Sequence, residues 1–159
     1  MRVLAIDPGY DRLGIAVMEY ADNKETVLFS DCILTDRNTP LADRLHTIGD
    51  AIESILSTHT PDTIAIETLF FNKNVKTAIN VAQARGIILY LAKKNHCAVY
   101  EFGPQEIKIA VTGYGKSDKQ AVTMLLKQTV HSVPVDALDD EYDAIAVGVT
   151  CLAQFGRGR

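Results

Sequence analysis

Short apolar runs separated by polar turns mark the first three elements of the chain. Residues 3–6 are four consecutive apolar residues, which predicts a strand buried on both faces of a sheet. Residues 13–20 predict a second strand that forms a hairpin with the first. After a polar turn at 22–24, residues 26–35 predict a third strand, placed at the sheet edge because it carries Ser30 and Asp31. These three strands are expected to be antiparallel.

An amphipathic helix and a further apolar strand come next. Pro40 begins a helix that ends near residues 58–61, and its apolar positions recur at steps of three and four: Leu41, Leu45, Ile48, Ile52, Ile55 and Leu56. Residues 62–67 then predict a strand that ends in Glu67. Because the connection crosses through a helix, this strand should run parallel to the first, with Asp7 and Glu67 at matching carboxyl ends.

The second half predicts one more strand among several helices. A loop at 70–74 precedes a long helix to about residue 95, and residues 97–102 form the fifth strand. A short helix from 103–104 carries Lys108, and a flexible loop at 112–118 leads into a helix at 117–129. The last helix spans about 136–155, with a buried side at Ala144, Ile145, Val147 and Leu152. The expected architecture is α/β: a mixed five-stranded sheet flanked by helices. Residues 1–155 form a single domain, and 156–159 form a short basic tail without regular structure.

Composition fits a single intracellular domain. At 159 residues the chain can bury a substantial core without disulfides or a structural metal. Cys32, Cys97 and Cys151 share no C-x-x-C spacing, and an odd number far apart indicates buried thiols in a reducing compartment. The N-terminus resembles neither a signal peptide nor a membrane span. We therefore expect a cytoplasmic protein without a membrane partner.

Charge is distributed unevenly along the chain. The net charge of −4 argues weakly against a nucleic-acid partner, but residues 1–67 hold twelve acids against five bases. Residues 68–135 hold three acids against nine bases, and residues 136–159 five acids against two bases. A basic middle between acidic ends can form a phosphate-binding face. The charge pattern alone favours the alternative of a solvated helix surface.

Four carboxylates are candidates for chemistry. Asp7 follows a buried strand and precedes Pro-Gly, so it either caps the turn or faces a cation. Asp140 and Asp143 are three residues apart and project from one helical face. Capping and solvation explain Asp136 and Asp139, but they explain Asp143 poorly, because Asp143 runs directly into the buried part of the helix.

Together with Glu67, these acids can converge on one point. Four neighbouring carboxylates raise one another's pKa unless a cation neutralises them. Oxygen-only ligation without His or Cys suits Mg²⁺ or Mn²⁺ better than zinc. Two such ions can activate water and stabilise the leaving oxygen of a phosphodiester displacement. The alternative of a P-loop ATPase around Gly115-Lys116-Ser117 fails, because Ala110 stands where that motif needs glycine.

Five motifs in order and spacing resemble the RuvC family of bacterial crossover (Holliday) junction endodeoxyribonucleases. They are Asp7-Pro8-Gly9 with Gly14; Ala65-Ile66-Glu67; Gln83-Ala84-Arg85-Gly86; residues 113–122; and Asp140-x-x-Asp143-Ala144. The resemblance covers nearly the whole chain. It implies a ribonuclease-H-like fold and a homodimer that resolves four-way DNA junctions by symmetric nicking in recombination and repair. The products would carry 5′-phosphate and 3′-hydroxyl ends. It also implies a branch-migration helicase complex of RuvA and RuvB as partner.

The resemblance assigns roles residue by residue. The metal-binding catalytic acids are Asp7, Glu67, Asp140 and Asp143, holding two Mg²⁺ ions for which Mn²⁺ can substitute. Asp140 is chosen over Asp139 because only Asp140 lies three residues before Asp143. Lys119 joins the catalytic set, and Phe70, rather than Phe71, is expected to insert among junction bases. The expected DNA contacts are Phe70, Lys73, Lys76, Arg85, Lys108, Lys116 and Lys119.

Some features keep other hypotheses open. Another ribonuclease-H-like nuclease, such as a ribosomal RNA end-processing enzyme, shares the opening Asp-Gly turn, and a catalytically inactive junction-binding module is the second alternative. The chain departs from the family pattern at Tyr10-Asp11-Arg12, which brings an extra acid near the site. Asp11 is expected either to crowd the metals or to point to solvent.

Overall fold

The structure, a computed structural model, describes residues 1–68 and 75–156 of the chain. The second half holds one further strand among several helices, as predicted. The elements are β1 (Arg2–Asp7), β2 (Arg12–Ala21), β3 (Lys24–Leu34), α1 (Leu41–His59), β4 (Thr63–Glu67), α2 (Val75–Lys94), β5 (Ala98–Phe102), α3 (Pro104–Thr112), α4 (Lys119–Thr129), α5 (Asp139–Cys151) and a π-helical turn at Leu152–Gly156.

The five strands form one mixed sheet in the order β3-β2-β1-β4-β5. β1, β2 and β3 are antiparallel, whereas β4 is parallel to both β1 and β5. Asp22 and Asn23 join β2 to β3 with φ of 52° and 60°, the left-handed conformation that a two-residue hairpin requires and that Asp and Asn tolerate. The predicted sheet, including the edge position of β3, is confirmed.

Helices cover both faces of the sheet. α1 and α2 pack on one face, where Ile48, Ile52 and Leu56 are buried against the strands. α5 packs on the other face, and its close approach depends on Gly148, where a Cβ atom would lie 2.4 Å from Sδ of Met18. The sheet is therefore buried on both sides, which explains the continuous apolar runs of its central strands.

The two ends of α5 differ from the sequence-based expectation. α5 begins at Asp139 rather than near 136, because the Tyr142 hydroxyl holds the preceding segment through the carbonyls of Pro134 and Val135, both at 2.9 Å. The α-helical conformation of α5 ends at Cys151, and the π-helical turn that follows it ends at Gly156. Residues 157–159 of the predicted tail lie outside the described residues.

The buried stripe of α1 begins with a charged residue. Arg44, which the apolar pattern leaves out, is buried in line with Ile48, Ile52 and Leu56, whereas Leu41, Leu45 and Ile55 are only half-buried. The prediction that the three cysteines are buried free thiols is confirmed. Within residues 1–68 and 75–156, no helix has the length and apolar character to cross a membrane.

Candidate active site

Two carboxylates lie at adjacent strand ends. Asp7 is the last residue of β1 and Glu67 the last residue of β4, and the parallel register pairs Ile6 with Ile66 directly before them. Because the two strands are parallel and in register, both side chains leave the sheet at the same edge. The sequence-based placement of Asp7 beside Glu67 is thus confirmed at the level of the backbone.

The N-terminal part of α5 brings Asp140 and Asp143 to the same edge. Asp7 pairs across β1 and β2 with Gly14, and a Cβ atom at Gly14 would lie only 1.9 Å from the backbone oxygen of Asp140. Only glycine permits this approach of β2 to the helix. Asp139 faces solvent instead and is the more exposed neighbour, which agrees with the choice of Asp140.

The acids interact electrostatically, and the effect is largest at Asp7. Burial, with further repulsion from Glu67, Asp143 and Asp140, raises the pKa of Asp7 from 3.8 to about 7, against the opposing charge of Lys119. Burial and the Asp143 carboxylate likewise raise the pKa of Glu67. Burial is also the main cause of the raised pKa of Asp143. The cluster therefore stores unfavourable charge when its carboxylates ionise.

Two basic side chains partly neutralise this charge. Nζ of Lys119 lies 2.7 Å from Oδ2 of Asp143 and 3.5 Å from Oδ2 of Asp139. Burial lowers the pKa of Lys119, but the Asp143 and Asp139 carboxylates outweigh it, so the net pKa is raised and the ammonium is kept. The guanidinium of Arg12 pairs with Oδ2 of Asp140, which the sequence did not predict. Asp140 and Asp143, the two candidate metal ligands on α5, thus each have a cationic partner from the chain itself.

The donor set fits a hard divalent cation chemically. Its members are all carboxylates, the ligands that Mg²⁺ and Mn²⁺ prefer, and a cation would relieve the repulsion that raises the pKa of Asp7. Within the described residues, no three His, Cys, Asp or Glu side chains form a ready-made ligand set. Since Asp140 and Asp143 are engaged by Arg12 and Lys119, a metal would have to compete with these two cations.

A small pocket adjoins the acids. It has a volume of about 220 Å³ and is lined by two carboxylates and two lysines together with apolar residues: Glu67, Asp143, Lys108, Lys119, Pro104, Ile107, Val122 and Ala146. Lys108 lies close enough to Glu67 to lower its pKa against the effect of burial. The structure therefore brings Lys108 and Lys119 together at the acids, as the sequence predicted.

The model of the family described as crossover junction endodeoxyribonuclease RuvC matches residues 3–151. The chain belongs to the RuvC family. RuvC of Caldanaerobacter subterraneus subsp. tengcongensis is 39% identical, covering 100% of both chains. RuvC of Thermosipho melanesiensis is 41% identical over 96% of this chain and 97% of its own length. The resemblance predicted from the five motifs is confirmed.

Solved structures agree with this assignment. Thermus thermophilus RuvC in complex with a Holliday junction substrate superimposes with a TM-score of 0.91 at 26% identity, covering 98% of this chain and 95% of that chain. The yeast mitochondrial Holliday junction resolvase Ydc2 has a TM-score of 0.70 at 13% identity, covering 98% and 81%, which shows a shared fold. The predicted ribonuclease-H-like architecture is thereby confirmed.

The structure describes only some of the other residues that are predicted to contact DNA. Phe70, Phe71 and Lys73 lie outside the described residues, as does the side chain of Lys76. Arg85 forms an ion pair with Glu101 at 2.5 Å and is mostly buried, so its charge is already partnered. Lys116 is exposed in the loop between α3 and α4. The predicted roles of these residues stay predictions.

Asp11 follows neither of the two alternatives expected from the sequence. Its Oδ1 accepts a hydrogen bond from the buried Arg44, and its Oδ2 lies 3.2 Å from Nη2 of Arg37. Its carboxylate is held between two arginines instead of crowding the acids or being free in solvent. Sequence reasoning missed Arg44 and Arg12. The one available signal for Arg44 was its position four residues before Ile48, on the apolar stripe of α1.

Proposed function

We propose that this chain is a metal-dependent, structure-specific endonuclease that resolves four-way DNA junctions by symmetric paired nicking in recombination and repair. The observation that carries the proposal is the set of four electrostatically interacting carboxylates at the ends of β1 and β4 and in the first two turns of α5. The family match over residues 3–151 supports the same activity, and the products would be 5′-phosphate and 3′-hydroxyl ends.

Asp7, Glu67, Asp140 and Asp143 are the proposed metal ligands. Their oxygen chemistry suits Mg²⁺, with Mn²⁺ as a substitute, and four acids can hold two ions. When bound, such ions supply an activated water and stabilise the leaving oxygen of the scissile phosphodiester. The raised pKa of Asp7 fits this role, because a carboxyl that resists ionisation alone becomes a ligand when a divalent cation offsets its charge.

Lys119 and Lys108 are proposed to hold the scissile phosphate. They line the pocket beside Glu67 and Asp143, where a phosphoryl group could sit against both ammonium groups. Fixed positive charge next to the reacting phosphate stabilises the negative charge that develops on its oxygens. Lys119 also pairs with Asp143, so a bound phosphate would share its ammonium group with this carboxylate.

The DNA interface is proposed to extend from the site along α2 and the loop before α4. Phe70 would stack on junction bases, and the phosphate contacts would come from Lys73, Lys76, Arg85 and Lys116. Positive charge dominates residues 68–135, which supports this placement. The RuvC of Thermus thermophilus was solved with a Holliday junction substrate, and its chain superimposes on this one over 98% of the length.

A homodimer is part of the proposal, because symmetric nicking needs two active sites. Ile79 and Tyr90 on α2 are 51% and 66% exposed, and exposed large apolar side chains of this kind suit an interface with a second copy. The RuvA–RuvB helicase complex and a cytoplasmic location follow from the sequence-based resemblance and belong to the same proposal. Neither an inactive binding module nor an RNA-processing role is favoured by an observation of the site.

Two substitutions separate binding from chemistry. Glu67→Gln and Asp143→Asn keep the size of the side chains and remove one ligand charge each, so cleavage in Mg²⁺ should be lost while junction affinity in EDTA is kept. Gel-shift and strand-cleavage assays on one junction measure both properties. Glu53→Gln, which alters an exposed carboxylate paired with Lys94, is the control and should behave as wild type. Loss of metal-free junction binding in either site variant would make that residue structural and contradict the assignment.

A further inference from the structure

A buried arginine of α1 holds the turn that joins β1 to β2. Nη2 of Arg44 donates to the backbone carbonyl of Tyr10 at 3.0 Å and to the carboxylate of Asp11. Its Nε donates to Oγ1 of Thr35 at 2.9 Å, and that hydroxyl in turn donates to the carbonyl of Tyr10 at 2.6 Å. The guanidinium also lies 4.7 Å from the centroid of the Tyr10 ring. The turn is thus fixed by several donors from one side chain.

Packing alone does not explain an arginine at this position. Arg44 is 7% exposed and begins the series that continues with Ile48, Ile52 and Leu56, where an aliphatic side chain would complete the apolar stripe. Burying a guanidinium is unfavourable unless charge and hydrogen bonds compensate it. Here the compensation comes entirely from residues 10, 11 and 35, which belong to or adjoin the turn. The buried charge therefore serves the turn.

This turn is connected to the acids at both of its ends. Asp7 directly precedes it, and Arg12, which directly follows it, pairs with Asp140 on α5. A backbone hydrogen bond from Thr35 N to the Asp11 carbonyl, 3.1 Å long, closes the turn on the side of β3. The conformation of residues 8–11 therefore bears on Asp7, the residue that directly precedes them.

We propose that Arg44 is a positioning residue for the carboxylate cluster: by clamping the β1–β2 turn it holds Asp7, which directly precedes that turn, in the arrangement that binds the divalent cation. The inference rests on the proposed metal-dependent function. Arg44 touches no reacting atom, so its removal should weaken metal binding and leave metal-free DNA binding unchanged. Residues that orient metal ligands typically change metal affinity by about 10–100-fold when they are replaced.

The test compares Arg44→Met, Arg44→Lys and Arg37→Met. Methionine keeps much of the length without charge or donors, and lysine keeps the charge for Asp11 but lacks the planar fork that also reaches Tyr10 and Thr35. Arg37→Met is the matched control, because Arg37 contacts the same Asp11 carboxylate from an exposed position. The measurements are calorimetric Mn²⁺ affinity without DNA, thermal unfolding in EDTA, junction affinity in EDTA and the Mg²⁺ concentration for half-maximal cleavage.

The expected result is a Mn²⁺ affinity about 10–100-fold weaker in Arg44→Met, with a smaller loss in Arg44→Lys and none in Arg37→Met. Junction affinity in EDTA should stay at the wild-type value. Should Arg44→Met fail to fold, Arg44→Lys decides alone. Folded Arg44 variants with wild-type Mn²⁺ affinity would overturn the inference, even if their unfolding temperature fell, because that pattern is purely structural. A wild-type protein that binds no Mn²⁺ and cuts no junction would instead overturn the proposed function.

Discussion

Replacing Asp7 by asparagine should stabilise the metal-free protein above neutral pH. The pKa of Asp7 is about 7 in the folded chain against 3.8 for the ordinary carboxyl, because burial and the neighbouring acids disfavour its charge. Between these two values the folded state holds a proton that the unfolded state has released, so stability falls as the pH rises towards 7. Above pH 7 the full cost of ionising the buried carboxyl is present.

The size of the effect follows from the shift. About three pKa units correspond to an upper bound of about 4 kcal/mol, at 1.36 kcal/mol per unit. Asparagine cannot ionise, but its amide must find partners in a half-buried site, so we expect a net gain of about 1–3 kcal/mol at pH 8. For a chain of this length that gain equals a rise in Tm of about 3–10 °C. Because pH 4 lies close to the ordinary carboxyl pKa of 3.8, little of the cost of ionising Asp7 is present there. The stability gained by Asp7→Asn should therefore nearly vanish at pH 4.

Thermal unfolding in EDTA at pH 4, 6 and 8 measures this directly, with Asp22→Asn as the control. Asp22 is exposed, and its φ of 52° suits asparagine equally well, so the control should follow wild type at every pH. The stability gained by Asp7→Asn must grow as the wild-type carboxyl ionises. A lower Tm for Asp7→Asn at pH 8, or an identical change at pH 4 and pH 8, would therefore contradict a raised pKa of Asp7.

Three further changes test the geometry of the site. Gly14→Ala should destabilise the chain by about 1–3 kcal/mol in urea unfolding and weaken its Mn²⁺ binding, because the new Cβ would lie 1.9 Å from the Asp140 carbonyl oxygen. Lys119→Met should lower the cleavage rate at saturating Mg²⁺ by about 10²–10³-fold, measured in single-turnover assays, since the proposed phosphate contact and the Asp143 pair are both lost. Phe70→Ala should reduce junction distortion, measured by fluorescence energy transfer, and cleavage without lowering Tm.

Each of these three substitutions has a control variant or a result that would contradict its prediction. Gly86→Ala lies within α2 with no atom within 4 Å of its new Cβ, so it should stabilise by about 0.5–1 kcal/mol. Lys24→Met removes an exposed lysine at the start of β3 and should leave the cleavage rate unchanged. Wild-type stability in Gly14→Ala, or wild-type cleavage in Lys119→Met, would contradict the site geometry. A large loss of Tm in Phe70→Ala would assign Phe70 to the core.

Patterns local in sequence predicted most of the fold. The apolar run of residues 3–6 indicated a central strand because both faces of the sheet are covered, and the helix between β3 and β4 required a parallel pairing. The three-residue spacing of Asp140 and Asp143 predicted their shared helical face. The convergence of the four acids followed from these placements together with the family resemblance.

The features that could not be predicted from the sequence depend on contacts between residues that lie far apart along the chain. Arg44 lies on the apolar stripe of α1, but the acceptors around residues 10 and 35 that compensate its charge are distant in sequence. The pair between Arg12 and Asp140 joins residues 128 positions apart. The start of α5 depends on where the Tyr142 hydroxyl finds carbonyl partners. These contacts leave no periodic signal in the chain.

The most direct test of the central claim is cleavage of a synthetic mobile four-way junction with each strand labelled in turn. We expect paired nicks at symmetric positions in two strands of like polarity, dependent on Mg²⁺ or Mn²⁺ and absent in Asp7→Asn. Nicks that persist in EDTA or in Asp7→Asn, or equal cutting of linear duplex DNA or RNA, would contradict it.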